Sequence, residues 1–346
     1  MVRIGPVDLP NPVVVAPMSG ITDRPFRRIA REMGAGLLCT EMASAVALVR
    51  QGPAACELTR VWPDEHPISV QLMGREPGTM ARAAEMVVEE GADIVDINMG
   101  CPVDKVAKKV CAGAGLMRDI PLAVEVALAM IRAIEPVPLT VKMRLGWDDS
   151  TRNCVELACA LEEVGVSALA VHGRTRVQGY SGSADWEHIA RLKSAVSIPV
   201  FGSGDIRSAG DARRQMRDSG CDGVLLARGM MGNPWLIHQC AFLLGRGEEV
   251  PDLTWVEHIE LCRRLVGYVV VHYGDRDGVK LARKFVSWAV RGCEGAARLR
   301  DGVRFLDTSA DVEAFWETLL AVGEAAPGGI SAAHTESGAD DLAIAS

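Results

Sequence analysis

The chain has 346 residues, is 49% hydrophobic and 24% charged, and carries a net charge of −8. That length can bury the core of a barrel-sized domain plus a smaller one, and the composition excludes a disordered or fibrous protein. No apolar run nears the roughly 20 residues of a membrane span. The first twenty residues hold no signal-peptide run, so a cytoplasmic protein without a membrane segment is expected.

In chain order, short β-rich runs alternate with helical patterns. Val13 to Pro17 reads as a first strand and Pro25 to Met33 as a helix, with Thr22 or Asp23 near its start. Leu37 to Met42 is a second strand and Ile68 to Met73 a third, followed by a helix from about Pro77 to Glu90. Ile94 to Asn98 is the fourth, then a Gly-Cys-Pro turn at Gly100 to Pro102, a basic loop with Lys105, Lys108 and Lys109, and a helix from about Pro121. Leu139 to Arg144 is the fifth strand. The helix after it has apolar residues at 155, 158, 161 and 164, a helical spacing. Ala168 to His172, Pro199 to Gly202 and Gly223 to Ala227 complete eight strands, separated by helices from about Trp186 and Ala209. Eight strands at βαβ spacing predict an α/β fold, a (β/α)8 TIM barrel, over residues 1–244. An open doubly wound sheet is disfavoured because no Gly-x-Gly-x-x-Gly follows the first strand.

From Val256 the alternation stops. Helical patterns over Val256 to Tyr273 and Val279 to Val290, and more after Gly295, predict a small all-helical domain at residues 245–322. Residues 323–346, rich in Ala, Gly and Ser from Ala325 and acidic, are expected to be a disordered tail.

In a barrel, ligands sit at the carboxyl ends of the strands. Here those ends carry Ala16-Pro17-Met18, Glu41, Gln71, Asn98 with Cys101, Lys142 with Arg144, His172 with Arg174 and Arg176, Ser203-Gly204-Asp205, and Ala227-Arg228-Gly229. Any one of these alone reads as an ordinary core residue or ion pair. So many at one end would each cost roughly 1–3 kcal/mol if buried unpaired, which points to a shared ligand. Glycine-bearing turns after the last two strands are the usual phosphate site of a barrel, and Arg228 adds charge. Lys142, Gln71 and Asn98 would then face a flat hydrogen-bonding ring. The physics stops at a phosphate-bearing cofactor.

The ten cysteines include no Cys-x-x-Cys pair, and Cys154/Cys159 and Cys101/Cys111 miss zinc spacings. Reduced thiols and no metal are expected. The charge is uneven. After Arg304 there is no Lys or Arg, and the acids there match the whole of the net charge. From Lys280 to Arg304, Lys280, Arg283, Lys284, Arg291, Arg298, Arg300 and Arg304 face only Glu294 and Asp301. Such a segment can meet a polyanion, although charge alone favours a solvated helix face.

The segments APMSGITDRPFR, VQLMG, DINMGCPVDKV, VKMRLGW, VHGRTR, GSGDI and ARGMMGNPW, in that order, resemble the tRNA-dihydrouridine synthase family, nearest its bacterial B-type branch. LARKFVSW at Leu281 to Trp288 resembles that family's helical domain, and the resemblance covers about residues 3 to 320. It implies an FMN barrel with a tRNA-binding helical domain, reducing uridine to 5,6-dihydrouridine, with NADPH or NADH as reductant and a monomer as the expected state. It implies that Ala16, Pro17 and Met18 line the flavin and that Gln71 and Lys142 bond its ring. His172 would sit beside it, and Ser203, Gly204, Asp205, Ala227 and Arg228 would take the phosphate and ribityl end. Asn98, Arg144, Arg174 and Arg176 would lie on the substrate side, with Cys101 as proton donor. The family usually has Asn where this chain has Ser203, which is expected to weaken FMN binding without abolishing it. Cys111 lies outside the Gly-Cys-Pro motif and is not assigned the chemistry. Two other readings share many of these residues: an FMN barrel acting on a free small molecule, such as a dihydroorotate-type oxidoreductase, and an inactive tRNA-binding relative. The first leaves the basic helices unexplained, and the second leaves Cys101, Lys142 and His172 without a use.

Overall fold

The computed structural model describes residues 2–291, 293 and 295–324. Eight parallel strands form the barrel: β1 Val13–Val15, β2 Leu38–Cys39, β3 Ile68–Met73, β4 Ile94–Met99, β5 Leu139–Arg144, β6 Ala168–His172, β7 Val200–Ser203 and β8 Gly223–Leu226. Each pairs with its sequence neighbour from β2 to β8, β8 pairs with β1, and a bridge between Val14 and Leu37 closes the ring. Helices such as Pro77–Glu89, Ile120–Ile134, Trp186–Ala195 and Ala209–Ser219 connect the strands on the outside.

The side chains divide by parity along each strand. Val13 and Val15 face the helices, while Val14 joins Leu37, Cys39, Ile94, Ala168, Phe201 and Leu225 in a separate apolar cluster inside the barrel. A hairpin of Val2–Ile4 against Val7–Leu9, which the sequence reading did not anticipate, puts Ile4 and Leu9 into that inner cluster. Burying each such side chain is worth about 1.5–3 kcal/mol. The hairpin thereby seals one end of the barrel with apolar groups. Two residues further along each strand, the same inward parity delivers Gln71, Asp96, Asn98, Lys142 and Arg144 towards the other end.

The second strand is shorter than expected. Pairing stops at Cys39 and resumes at Ala43–Ser44, so Glu41 lies in the gap, where its carboxylate accepts from the Gly20 amide. The basic loop after Cys101 forms a wide π-type helical turn, Lys105–Val110, and then a 3-10 turn, Gly113–Arg118. Short helices at Ala45–Val49 and Pro53–Thr59 and a longer one at Trp235–Arg246 were also unanticipated.

Beyond residue 254 every element is helical: Trp255–Ala289, Ala296–Val303 and Ser309–Glu324. Thr254 and Glu257 form a reciprocal cap at the start of the first, and non-helical backbone at Gly274 breaks it between the two segments read from sequence. This region packs on the first barrel helix, Arg24–Glu32. Phe285 stacks on Phe26 with centroids 6.2 Å apart, Tyr268 donates to Glu32 at 2.7 Å and Tyr273 donates to Asp23 at 3.0 Å. Lys284 reaches the Gly20 carbonyl, so the loop after β1 is held from the helical side. The last helix runs to Glu324; residues 325–346, most of the expected tail, lie outside the described residues. Among the described residues no helix is long and apolar enough to cross a membrane.

Candidate active site

At the carboxyl end of the barrel the residues fall into two groups. The first spans β3 to β5. Gln71, Asp96 and Thr140 stand side by side on adjacent strands. Thr140 donates to Asp96 Oδ1 at 2.6 Å, and Gln71 Nε2 donates to Asp96 Oδ2 at 2.7 Å. Asn98 Nδ2 donates to Gln71 Oε1 at 2.7 Å, and Asn98 Oδ1 accepts from the amides of Gly100 (3.1 Å) and Cys101 (2.9 Å). A continuous chain of hydrogen bonds thus runs from the interior of the barrel to the backbone of the thiol residue.

Cys101 is fixed from its other sides as well. Its carbonyl accepts from Ala114 N at 3.1 Å. The carbonyls on either side are taken by arginines: Arg144 Nε donates to Gly100 O at 2.8 Å and Arg176 Nε to Pro102 O at 3.1 Å. The small residues after it are required by contact. A Cβ on Gly113, where φ is +54°, would stand 3.0 Å from Cys101 Cβ, and that backbone region disfavours any other residue. Burial pushes the Cys101 thiol above its ordinary range, while its own turn and the charges of Arg144 and Lys142 pull the other way. The net effect keeps the thiol protonated at neutral pH. Lys142 has no carboxylate within ion-pair distance among the described residues. Burial, then the nearby Arg144, lower its ammonium to about 8, against the attraction of Asp96.

The second group spans β6 to β8 and is built on guanidinium groups. Arg174, 2% exposed, forks onto Asp205 at 2.9 and 2.8 Å and also donates to the carbonyls of Ser181 and Gly182. Asp205 accepts from Ala184 N at 2.7 Å and lies 3.7 Å from Arg228. Gly204 has φ +130°, and a Cβ there would stand 2.5 Å from Ala184 Cβ. The glycine is therefore required by the close approach of Ala184 and His172, and Asp205 next to it keeps the turn near Arg228. His172 is buried under this cluster. Desolvation, then Arg144, Lys142, Arg174 and Arg228, hold its imidazole well below the usual range, so it is neutral. Tyr180, which the sequence reading passed over, lies across both groups, with Arg228 4.5 Å and Arg144 5.6 Å from its ring centroid.

The structure alters several sequence expectations. Arg144 is 3% exposed and donates to Gly100, Thr175 and Gly179 carbonyls, so it clamps loops together. Arg174 is committed to Asp205 and the loop carbonyls, and Arg176 to Pro102 and Asp104. None of the three presents a free guanidinium to a polyanion; they shape the turn that carries Cys101 and the turn that carries Gly204. Ser203 is buried, and its hydroxyl donates to Leu225 O at 3.0 Å, so that proton is not available to a phosphate and instead ties β7 to β8. Ala16 is buried with its amide on Leu226 O, whereas Pro17 and Met18 are half-buried beside it at the mouth. Asp96 and Thr140 were missed. The signal was present in Ile94–Met99, where Asp96 shares the inward parity of Asn98 in an otherwise apolar strand.

The profile of the dihydrouridine synthase (Dus) family matches residues 14–322. The chain belongs to that family. It is 43% identical over 312 residues to tRNA-dihydrouridine synthase B of Pseudomonas aeruginosa, covering 90% of this chain and 93% of that one. It is 39% identical over 328 residues to a probable tRNA-dihydrouridine synthase of Rickettsia prowazekii, covering 94% and 99%. Among solved structures, an old yellow enzyme homologue from Zymomonas mobilis shares the barrel with a TM-score of 0.51 at 14% identity, over 73% of this chain and 93% of that one. The dihydrouridine synthase match runs from within the first barrel strand into the last helix and takes in both groups at the mouth, but not the sealing hairpin.

Proposed function

We propose that this protein reduces specific uridines of tRNA to 5,6-dihydrouridine, using bound FMN and a nicotinamide reductant, NADPH or NADH. The observation that carries the reading is Cys101. It is a protonated thiol whose backbone is pinned from every side at the mouth of a barrel with a recessed cation next to it. Membership of the dihydrouridine synthase family supports the reaction class.

The residues present fit FMN. The ammonium of Lys142, and the one amide hydrogen of Gln71 left over from its bond to Asp96, suit the hydrogen-bonding edge of an isoalloxazine, which gains negative charge on reduction. Pro17 and Met18 supply apolar surface and His172 a neutral neighbour. The turn at Gly204 with Arg228, and Ala227 beside it, suits a phosphate. When bound, FMN supplies the hydride for C6 of the uracil. Cys101 supplies the proton to C5, and its raised pKa keeps that proton on sulfur at neutral pH. Lys142 holds positive charge beside the site until the pH passes about 8. Arg144 and Arg176 keep the thiol in place by gripping the carbonyls before and after it.

A uridine reaches this mouth only after leaving the stacking of the tRNA. Lys105, Lys109, Lys280, Arg298, Arg300 and Arg304 are exposed and suited to phosphate contacts. Arg283 is occupied by Leu306 and Asp307, and Lys284 by Gly20, so those two hold the helices together instead. The test is to incubate the protein with FMN, NADPH and tRNA lacking dihydrouridine, then digest the tRNA and analyse its nucleosides by mass. Dihydrouridine at defined positions is expected. Unchanged tRNA together with reduction of a free pyrimidine would replace this reading with that of a small-molecule oxidoreductase.

A further inference from the structure

We propose that Asp96 is a positioning residue for Cys101, setting the sense of the hydrogen-bond chain Thr140–Asp96–Gln71–Asn98–Cys101 through which the thiol turn is held. The inference rests on the reading of Cys101 as the proton donor, and it concerns a residue that touches neither the thiol nor the ring site directly.

The argument is one of donor and acceptor bookkeeping. A side-chain amide has an acceptor end and a donor end, and either end can point either way unless a neighbour decides. Gln71 and Asn98 are two such amides in series. At the outer end, the Gly100 and Cys101 amides require Asn98 to present its oxygen. Asn98 then turns its NH2 inward, and Gln71 must meet it with oxygen. Gln71 in turn directs its NH2 to the next group, which must accept. An ionised carboxylate only accepts, so Asp96 satisfies that requirement in one orientation alone. Thr140, a hydroxyl able to donate, fills the other oxygen. Every link is 2.6–3.1 Å long and the carboxylate is 6% exposed, so water does not substitute for a lost link. Burial pushes the Asp96 carboxyl up to about 6, against the hydrogen bonds from Thr140 and Gln71 and the charge of Lys142, two residues along from Thr140 on the same face of β5, so it is ionised at neutral pH.

Asn at position 96 keeps the shape but offers a donor as well as an acceptor, so the sense of the chain is no longer imposed. The test reads Cys101 directly in the protein without flavin or tRNA. The rate of iodoacetamide labelling at Cys101 is followed by site-resolved mass spectrometry, which separates it from the other nine cysteines. Cys101 is 9% exposed, so the starting rate is slow. Asp96→Asn is expected to speed labelling at Cys101 about tenfold, the equivalent of losing one buried hydrogen bond, while Cys154 and Cys240 stay unchanged. The double variant Asp96→Asn with Gln71→Glu moves the acceptor-only group one place along the chain, where it still receives the Asn98 NH2, and is expected to return Cys101 to the slow rate. A single variant that labels within about twofold of the native rate would overturn the proposal. So would a folded double variant that labels as fast as the single one. If the single variant does not fold, a folded double variant that labels at the slow native rate supports the proposal, and one that labels about tenfold faster than native overturns it. Because neither FMN nor uridine takes part, this result is independent of whether the tRNA reaction is observed.

Discussion

Between β3 and β5 the mouth of the barrel is organised by neutral amides handing hydrogen bonds to one another, whereas between β6 and β8 it is organised by guanidinium groups around one carboxylate. The contrast follows from what each side has to hold. In the proposed reaction the Cys101 thiol has to stay protonated, and the amide of Asn98 orients its turn without adding charge of its own. The second side, proposed to hold the phosphate, has the guanidinium of Arg228 close to Asp205 of the Gly204 turn. Arg174 spends its own charge on Asp205, so it stiffens that side more than it attracts ligand. Arg144 and Lys142 sit at the seam. Burial lowers both, reinforced by Arg144 at Lys142 and by Arg174 and Arg228 at Arg144, which leaves Lys142 at about 8 and Arg144 at about 10.

The sharpest way to separate the two sides is Cys101→Ala. Dihydrouridine formation is expected to fall by roughly 10²–10⁴, the usual scale of a lost general acid. Reduction of bound flavin by NADPH should continue at the native rate in stopped-flow absorbance. Loss of both would mean that the sides are not separable. At the seam, Lys142→Met is expected to slow uridine reduction about 100-fold, as when one charge-stabilising donor is removed. The same residue sets a pH limb. Its ammonium is present below about 8 and is lost as the pH rises through that value, so the native rate should fall on the alkaline side, and the variant should lack that limb. On the phosphate side, Arg228→Ala should weaken FMN binding about tenfold in a fluorescence titration while Cys101 labelling is unaffected. The smallest effect is expected from Ser203→Ala. It removes the tie to Leu225 and costs about 1 kcal/mol of stability in denaturant unfolding, with FMN affinity unchanged.

The same contrast explains what the sequence could reveal. The barrel was legible because strands buried on both faces read as short apolar runs, and because polar residues gathered at their carboxyl ends. Strands β3, β5 and β6 match the reading end to end. The glycine turn at Gly204 and Arg228 were legible because they are local in sequence. The tie that the Ser203 hydroxyl makes to Leu225 O was not legible, because that partner lies on another strand. The amide chain was not legible as a chain. Gln71, Asp96 and Thr140 meet only through the register of three strands, and register is set by the whole barrel rather than by any local pattern. For the same reason the sequence did not show that the three arginines expected on the substrate side are also clamps, Arg144 and Arg176 on carbonyls of distant loops and Arg174 on carbonyls of its own loop. The sealing hairpin escaped because its strands are three residues each, too short for a periodic signal.

The most direct test of the account is an anaerobic absorbance titration. The protein is loaded with FMN, bleached with one equivalent of NADPH, and then given either tRNA lacking dihydrouridine or free uridine. Return of the oxidised flavin spectrum with the tRNA, and not with the free nucleoside, is the predicted result. Return with free uridine at an equal rate, or no return with either, would contradict the assignment of this barrel mouth to uridines of tRNA.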